Sequence, residues 1–220
     1  TKKIYQPMDK IDKNDETLFL SGTEVRRRIR ENEEIHDWFS FPEIVKLLRK
    51  SNKKKGICYY FVGLSGSGKT TYANILRTKL LEKDPSLTIT ILDGDIVRQN
   101  LSKGLGFSKE DRSLNVRRIG YVASEIVKHG GIVICANIAP YQEDRNYNRN
   151  LIESTGGIYK EIWVNTPLEI CEKRDIKGLY KLAREGKIKQ FTGISDPFED
   201  PINCDYKINT NIDDLNILLK

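Results

Sequence analysis

The sequence predicts an α/β fold with a mostly parallel sheet of about five strands, helices on both faces, and a short helical N-terminal extension. Three observations support this fold class. From Ile57 onward, short apolar runs rich in β-branched residues alternate with amphipathic helical runs. A glycine-rich turn, Gly63 to Gly68, follows the first of these apolar runs and precedes a helical one. Residues 1–50 instead carry two short amphipathic segments.

Length and composition describe a globular chain. A length of 220 residues suits one domain with an appendage, and contents of 38% hydrophobic and 31% charged residues are typical of a globular protein. No apolar run is long enough to cross a bilayer and the N-terminus resembles no secretory signal, so we expect a cytoplasmic protein without a membrane partner. The scattered cysteines are expected to be reduced thiols. The net charge of +6 fits either a nucleic acid or a polyphosphate ligand.

The N-terminal extension, residues 1–50, is predicted to be helical. Ser21 caps a first helix, with Glu24 three residues later. A second helix is predicted from Pro42 to Lys50. The basic residues 51–56 then form a linker, and the lysine run within it has no interleaved aromatic residue, which favours a solvated connection over a nucleic-acid surface. Because the chain does not begin with Met, we expect it to be a piece of a longer protein.

The remaining domain, residues 57–220, alternates strands and helices. The predicted strands are Ile57–Val62, Thr88–Leu92, Ile132–Ala136, Glu161–Val164 and Tyr206–Ile208. The predicted helices are Lys69–Glu82, Ile96–Leu101, Lys109–Lys128, Glu143–Glu153, Leu168–Arg174, Leu179–Glu185 and Ile212–Leu219. Open sheets of this kind bind ligands beyond the carboxyl ends of their strands. Functional residues are therefore expected directly after the strands.

The first strand ends in a phosphate-binding loop. Gly63, Gly68, Lys69 and Thr70 have the spacing G-x-x-x-x-G-K-[ST]. Glycines let the backbone curl round a polyphosphate, and the following helix adds the positive end of its dipole. Lys69 supplies a mobile cation and Thr70 a hydroxyl for Mg²⁺. The alternative is a plain glycine-rich turn, but the strand before it and the helix after it favour a nucleotide site.

The second strand ends in the carboxylate pair Asp93 and Asp95, followed by Arg98. Asp95 and Arg98 share one helix face. Beside a Mg²⁺–polyphosphate, Asp95 would hold the metal through water or accept the proton of an attacking hydroxyl. The alternative is an N-capping aspartate. Its position directly after a strand in a phosphate-loop protein favours the functional role.

Two further stretches carry candidate ligand contacts. Arg112 and Asn115 lie in the first turns of a predicted helix, where an anion would bind, and Phe107 stands just outside its cap. The ring of Phe107 either stacks on a base or serves as a hydrophobic staple, and the residues alone leave both open. The basic segment from Arg174 to Arg184 contains Gly178 and is either a mobile lid over phosphates or a solvated helix.

Several motifs, in order, resemble those of adenosine 5′-phosphosulfate (APS) kinases, which have a P-loop kinase fold. They are GLSGSGKTT, LDGDIVR, LGFSKEDRSLNVRRIG, IAPY followed by EDR, VNTPLEICEKRDIKGLYKLAR and FTGISDPFE, and they cover about residues 57–210. The segment SGTEVRRRIRENEEIHDWFSFPEIV resembles the C-terminal end of the ATP sulfurylase catalytic domain. The QxRNP and HxxH motifs of that family are absent from the sequence. We therefore expect a kinase domain fused to, or cut from, an ATP sulfurylase domain.

The resemblance implies transfer of the ATP γ-phosphoryl group to the 3′-hydroxyl of APS, giving ADP and PAPS, with Mg²⁺ as cofactor. It implies ATP binding by Gly63, Leu64, Ser65, Gly66, Ser67, Gly68, Lys69, Thr70 and Thr71. Catalytic roles fall to Asp95, Lys69 and Lys177, with Thr70 and Asp95 at the metal. APS binding falls to Asp95, Arg98, Phe107, Arg112, Asn115, Ile138, Ala139, Lys177, Gln190 and Phe191. Phe107 and Phe191 would lie on the two faces of its adenine.

Two departures from the family pattern matter. Ala139 stands where members often have a serine, so phosphoryl transfer is expected to be direct. The segment 201–205 replaces the usual Pro-Glu near the ATP adenine, and contacts to that ring are not assigned. Members of the family are commonly dimers, so the resemblance implies that this chain could form a homodimer.

Two alternatives to an active APS kinase stay open. One is a non-catalytic PAPS-binding regulatory domain of an ATP sulfurylase, and the other is a different P-loop small-molecule kinase. Regulatory domains of that type carry a degraded phosphate loop, whereas Gly68, Lys69, Thr70 and Asp95 are all present here. A GTP switch is not expected, because no [NT]KxD motif follows the loop. A nucleic-acid partner is not expected either.

Overall fold

The computed structural model describes Lys10, residues 17–51 and residues 55–209. The chain divides into two compact units, with the boundary between Lys54 and Lys55. The predicted helix from Ile212 to Leu219 lies outside the described residues. Within the described ranges, every helix is too short or too polar to cross a lipid bilayer.

The first unit contains helices α1 (Gly22–Glu31) and α2 (Pro42–Ser51). The Ser21 hydroxyl accepts a hydrogen bond from the Glu24 amide at 3.1 Å, which confirms the predicted cap. The Glu24 carboxylate accepts hydrogen bonds from the guanidinium groups of Arg27 and Arg28. Ion pairing along the helix has therefore replaced the second half of the capping box.

The second unit follows the predicted alternation of strands and helices. Its strands are β1 (Ile57–Val62), β2 (Ile89–Asp93), β3 (Ile132–Ala136), β4 (Ile158–Asn165) and β5 (Tyr206–Asn209). Its helices are α3 (Lys69–Lys83), α4 (Gly94–Gln99), α5 (Lys109–Lys128), α6 (Gln142–Ser154), α7 (Leu168–Arg174) and α8 (Leu179–Arg184). The five strands pair in the order β2-β3-β1-β4-β5, and every pair is parallel. The predicted fold class is confirmed.

Most element bounds lie within one residue of the prediction, and two elements begin two or more residues earlier than predicted. Helix α4 begins at Gly94 rather than Ile96, because the Asp93 side chain accepts the Asp95 amide at 2.9 Å and caps the helix earlier. Strand β4 begins at Ile158 rather than Glu161, with Ile158 paired to Ile57 of β1. Polar residues near the start of β4 interrupt the apolar pattern, so the sequence predicted a shorter strand. Pairing with the central strand β1 extends β4 to Ile158 in the structure.

Helices cover both faces of the sheet. On β1, Cys58, Tyr60 and Val62 point into the core formed with α5 and α6. Phe61 points to the opposite face, where it packs in the core formed with α3. Because β1 is buried on both sides, its sequence is a continuous apolar run rather than an alternating one. The carboxyl end of this central strand opens into the phosphate-binding loop.

Helices α5 and α6 pack closely at Gly120. A methyl group added there would lie 1.9 Å from Asn148 Oδ1, and Asn148 Nδ2 donates to the Tyr60 hydroxyl and the Val116 carbonyl at 3.0 Å each. We predict that Gly120→Ala destabilises the protein by about 1–3 kcal/mol through overpacking. This outweighs the gain in helix propensity of about 1 kcal/mol. Urea denaturation measures the change.

The control for this prediction is Tyr121→Ala on the same helix. Tyr121 is 61% exposed, so its replacement should change the free energy of unfolding by less than about 0.5 kcal/mol. A Gly120→Ala protein that is more stable than the parent would show that α5 and α6 separate without cost.

Candidate active site

The phosphate-binding loop connects β1 to α3 through a backbone that requires glycine. Gly63 has φ +145° and Gly66 has φ +71°. A side chain at Gly63 would also place its Cβ 2.6 Å from the Val164 carbonyl oxygen. The loop therefore lies directly against the end of β4, with no room for side chains on that side.

Lys69 begins α3 and folds back over the loop. Its Nζ donates to the Leu64 carbonyl at 2.6 Å and lies 3.4 Å from the Ser67 hydroxyl. Burial of the ammonium group is the main cause that lowers the pKa of Lys69 to about 8. A buried ammonium group whose hydrogen-bond partners are neutral oxygens is well placed to bind an anion.

Thr70 and Asp93 form the second part of the site. The Thr70 hydroxyl donates to Asp93 Oδ2 at 2.7 Å, and Asp93 is buried at the carboxyl end of β2. Hydroxyl and carboxylate oxygens are the donors that Mg²⁺ prefers, and Mg²⁺ usually takes its other ligands from water and phosphate. Sequence reasoning placed Asp95 rather than Asp93 beside Thr70. The sequence feature that could have identified Asp93 as a site residue is its position at the carboxyl end of a predicted strand.

Asp95 and Lys177, both predicted to be catalytic, are brought together. The Lys177 ammonium donates to the Asp95 carboxylate, and both side chains are largely exposed. Lys177 lies in the connection between α7 and α8, and Gly178, with φ +66°, follows it. The basic segment thus places one of its cations against the start of α4.

Arg98 supports the loop that carries Phe107. Its Nη1 donates to the Gly106 carbonyl at 3.0 Å, and its guanidinium lies over the Phe107 ring at 5.4 Å from the centroid. The Gly106 amide in turn donates to the Asp111 carboxylate at 2.8 Å. The Phe107 ring is 45% exposed, so one aromatic surface is open to a ligand.

Arg112 is buried and already paired. Its guanidinium donates to Thr192 Oγ1 at 2.7 Å, to the Tyr141 hydroxyl at 2.5 Å and to the Asp196 carboxylate. Burial raises the pKa of Asp196, but hydrogen bonds from Tyr141 and Arg112 outweigh burial and hold that pKa below its usual range. Sequence reasoning missed Tyr141 and Asp196. Arg112 therefore joins three segments that lie far apart in the sequence.

Asn115 and Phe191 are both buried rather than open. Among the described residues, Asn115 Oδ1 has no hydrogen-bond partner. Phe191 packs edge-on against Tyr180 with ring centroids 5.0 Å apart, while Gln190 beside it is exposed. A cavity of about 530 Å³ is lined by Leu64, Gly193, Ile194, Ser195, Asp196, Pro197, Phe198 and Asp200.

The turn after β3 is held by a buried arginine. Ala139 has φ +43°, which is uncommon outside glycine, and its carbonyl accepts a hydrogen bond from Arg145 Nη1 at 2.8 Å. The Ile138 carbonyl accepts from the Gly63 amide at 3.4 Å. The predicted backbone contacts at 138 and 139 thus lie beside the phosphate loop. Arg145 is fully buried, and the sequence pattern did not predict its structural role at this turn.

Comparisons with known proteins match both parts of the chain. The family model for adenylylsulphate kinase matches residues 55–209, and the family model for ATP-sulfurylase matches residues 2–51. The sulfate adenylyltransferase of Emericella nidulans is 43% identical over 210 residues, which are 94% of this chain and 36% of that protein. The sulfate adenylyltransferase of Gibberella zeae is 43% identical over 208 residues, which are 93% of this chain and 36% of that protein. The chain spans 36% of the length of these curated relatives.

Solved structures match the chain over different extents. The structure of the Mycobacterium tuberculosis APS kinase in complex with AMPPNP and APS is 38% identical, with TM-score 0.71, and the match covers 75% of this chain and 96% of that one. The hexameric APS kinase from Thiobacillus denitrificans is also 38% identical, with TM-score 0.60, over 97% of this chain and 38% of that one.

The lowered pKa of Lys69, about 8, predicts that nucleotide affinity depends on pH. Below about pH 8 the ammonium is charged and attracts phosphates, and above it the free protein must take up a proton on binding. The dissociation constant of Mg·ADP should therefore be constant near pH 7 and rise by up to about tenfold per pH unit above pH 8. Calorimetric titrations from about pH 7 to about pH 9.5 measure this.

Lys69→Arg is the matched control, because arginine stays charged over this range. Its affinity, whatever its absolute value, should be flat with pH. A parent protein whose affinity is equally flat would show that the Lys69 pKa is not lowered in the free state.

Proposed function

The chain belongs to the adenylylsulphate kinase family, and from this membership and the site geometry we propose that it phosphorylates APS. The γ-phosphoryl group of ATP passes to the 3′-hydroxyl of APS, giving ADP and PAPS. The observation that carries the proposal is the intact phosphate loop with Lys69 folded over it, at the same end of the sheet as the Asp95–Lys177 pair. A domain that only binds PAPS has no need of this combination.

The donor half of the mechanism uses residues 63–71. The loop amides and the Lys69 ammonium bind the ATP phosphates, so that the γ-phosphorus faces the acceptor. Thr70, together with Asp93 and through water Asp95, would hold Mg²⁺. When bound, Mg²⁺ neutralises charge on the phosphate oxygens.

The acceptor half positions the 3′-hydroxyl for an in-line displacement. We assign Asp95 as the base that accepts the hydroxyl proton while the new O–P bond forms and the bond to the ADP oxygen breaks. Lys177 leaves Asp95 to contact the transferring phosphoryl group, whose charge it stabilises. Because Ala139 has no hydroxyl, no phosphorylated side chain forms at that position and transfer is direct.

The remaining assignments concern recognition of APS. The exposed ring of Phe107 forms one face of the adenine site, and Phe191 forms the other. Arg98, Arg112 and Asn115 provide charge and polar groups for the phosphosulfate and ribose, and the backbone at Ile138, Ala139 and Gln190 completes the site. Residues 1–50 are assigned as an extension derived from ATP sulfurylase, 51–56 as a linker and 57–220 as the kinase domain. Fusion to a sulfurylase and formation of a homodimer belong to the same proposal.

One observation favours a second candidate function. The curated relatives are named sulfate adenylyltransferase, and the match to them runs through both parts of the chain. A regulatory domain of such a protein would bind PAPS without turning over ATP. The intact Lys69, Thr70 and Asp95 argue for catalysis, and one assay separates the two functions.

The test is coupled release of ADP by the 220-residue chain with Mg·ATP, with APS present and then omitted. ADP should form only with APS, and Asp95→Ala should abolish that release while leaving nucleotide binding largely intact. If no ADP forms but PAPS binds tightly in calorimetry, the regulatory function replaces the kinase. ADP formed with another acceptor and not with APS would identify a different small-molecule kinase.

The exposed ring of Phe107 predicts a selective effect on the acceptor. Phe107→Ala should raise the KM for APS by about tenfold or more, because base–aromatic stacking contributes about 1–3 kcal/mol, and should leave the KM for ATP within about twofold. Steady-state kinetics with each substrate varied separately measures this. Equal losses for both substrates would show that Phe107 is only a hydrophobic staple.

Tyr147→Ala is the matched control. Tyr147 is also 45% exposed and also lies beneath an arginine, with Arg117 at 4.8 Å from its ring centroid. It lies on α6, outside the proposed site, so its replacement should leave both KM values unchanged.

A further inference from the structure

Side-chain hydrogen bonds hold the phosphate loop in place through its backbone carbonyls. Four consecutive carbonyls each accept a side-chain hydrogen bond: Leu64 from Lys69 Nζ at 2.6 Å, Ser65 from the Tyr180 hydroxyl at 2.9 Å, Gly66 from Arg174 Nη1 at 3.0 Å, and Ser67 from Thr166 Oγ1 at 2.8 Å. Three of these donors belong to residues 166–180, which run from the end of β4 through α7 into α8. One stretch of chain thus holds the loop at three successive residues.

Peptide geometry connects these contacts to the ligand side of the loop. In a trans peptide, the carbonyl of one residue and the amide N–H of the next point in opposite directions. With the carbonyls of Ser65 and Ser67 directed toward residues 166–180, the amides of Gly66 and Gly68 are directed away from that stretch. The Ser67 amide closes the turn by donating to the Leu64 carbonyl at 3.2 Å. Successive amides that face one side of a loop form an anion-binding concavity.

The three donors from residues 166–180 differ in burial, and the buried ones contribute most to holding the loop. Thr166 is 4% exposed and Tyr180 is 1% exposed, so their hydrogen bonds do not compete with water. Tyr180 is also fixed by packing against Phe191 and Cys171. Arg174 is exposed, and its hydrogen bond to the Gly66 carbonyl exchanges with solvent more readily. Thr166 and Tyr180 are therefore the principal supports.

We propose that Thr166 and Tyr180, with a smaller contribution from Arg174, are positioning residues for the nucleotide. They hold the loop in its anion-binding conformation before the nucleotide arrives, so that less conformational freedom is lost on binding. This inference deepens the proposed function and rests on the assignment of the loop to ATP. It extends the donor site to residues that contact no phosphate. Lys177 lies in the same stretch, between Arg174 and Tyr180.

The test compares Thr166→Val and Tyr180→Phe, each of which removes a hydroxyl with little change in shape. Calorimetry with Mg·ADP on the 220-residue chain should show binding about fivefold weaker in each, the loss expected for one neutral hydrogen bond. The KM for ATP should rise in parallel, while the KM for APS stays within about twofold. Thr166→Ser restores the hydroxyl and should recover most of the affinity.

Tyr121→Phe is the control for loss of a tyrosine hydroxyl, since Tyr121 is exposed on α5 and far in sequence from the loop supports. Parent-like Mg·ADP affinity in both test variants would overturn the proposal, and so would a Thr166→Ser protein as weak as Thr166→Val. Thermal unfolding verifies that each variant is folded, and if Thr166→Val is not, Tyr180→Phe decides. Mg·ADP binding needs no acceptor. If the parent protein does not phosphorylate APS, the proposed function is wrong, but the role of Thr166 and Tyr180 in nucleotide binding is still tested by the Mg·ADP affinities.

Discussion

The turn at the carboxyl end of β1 is the constraint on which the site depends. The chain must leave a strand buried on both faces and enter α3 within a few residues, while Gly63 lies against the Val164 carbonyl. No side chain fits there, so the backbone itself becomes the binding surface and neighbouring elements must satisfy its carbonyls. The order β2-β3-β1-β4-β5 brings the ends of β2, β3 and β4 around that turn. Asp93, Ile138 and Thr166 are the residues that these ends contribute.

The cations of the site all have hydrogen-bond partners within the protein. Lys69 donates to a carbonyl, Arg98 to the carbonyls of its loop, Arg112 to Asp196 and Lys177 to Asp95. The arrangement limits the repulsion that unpaired cations would exert on one another. It also orients each group, because a hydrogen-bonded guanidinium or ammonium has fewer rotamers than a solvated one. The partners at Arg98 and Lys69 are neutral carbonyls, so those two positive charges are the least compensated.

The sequence predicted the fold and the central loop well, because both are local patterns. The spacing from Gly63 to Thr70 and the apolar run before it need no tertiary information, and the same holds for the Ser21 cap, which the structure confirms. What could not be predicted was pairing across the chain. Asp93 reaches Thr70, Asp196 reaches Arg112 and Tyr180 reaches Ser65 over separations of 23, 84 and 115 residues. The spacing of residues along the sequence does not indicate such contacts. The burial of Phe191 and Asn115 also depends on contacts with distant parts of the chain, so it could not be predicted either.

Tyr180 contacts both halves of the site. Its hydroxyl donates to the Ser65 carbonyl of the phosphate loop, and its ring packs against Phe191, which we propose for the acceptor site. A structural change at Ser65 or at Phe191 that moves the Tyr180 side chain therefore also changes the contact at the other residue. If one substrate shifts Tyr180, the free energy of that shift enters the affinity of both, and by thermodynamic linkage each changes the binding of the other by the same factor. Coupling between the two proposed substrates would then need one buried tyrosine and no direct contact between them.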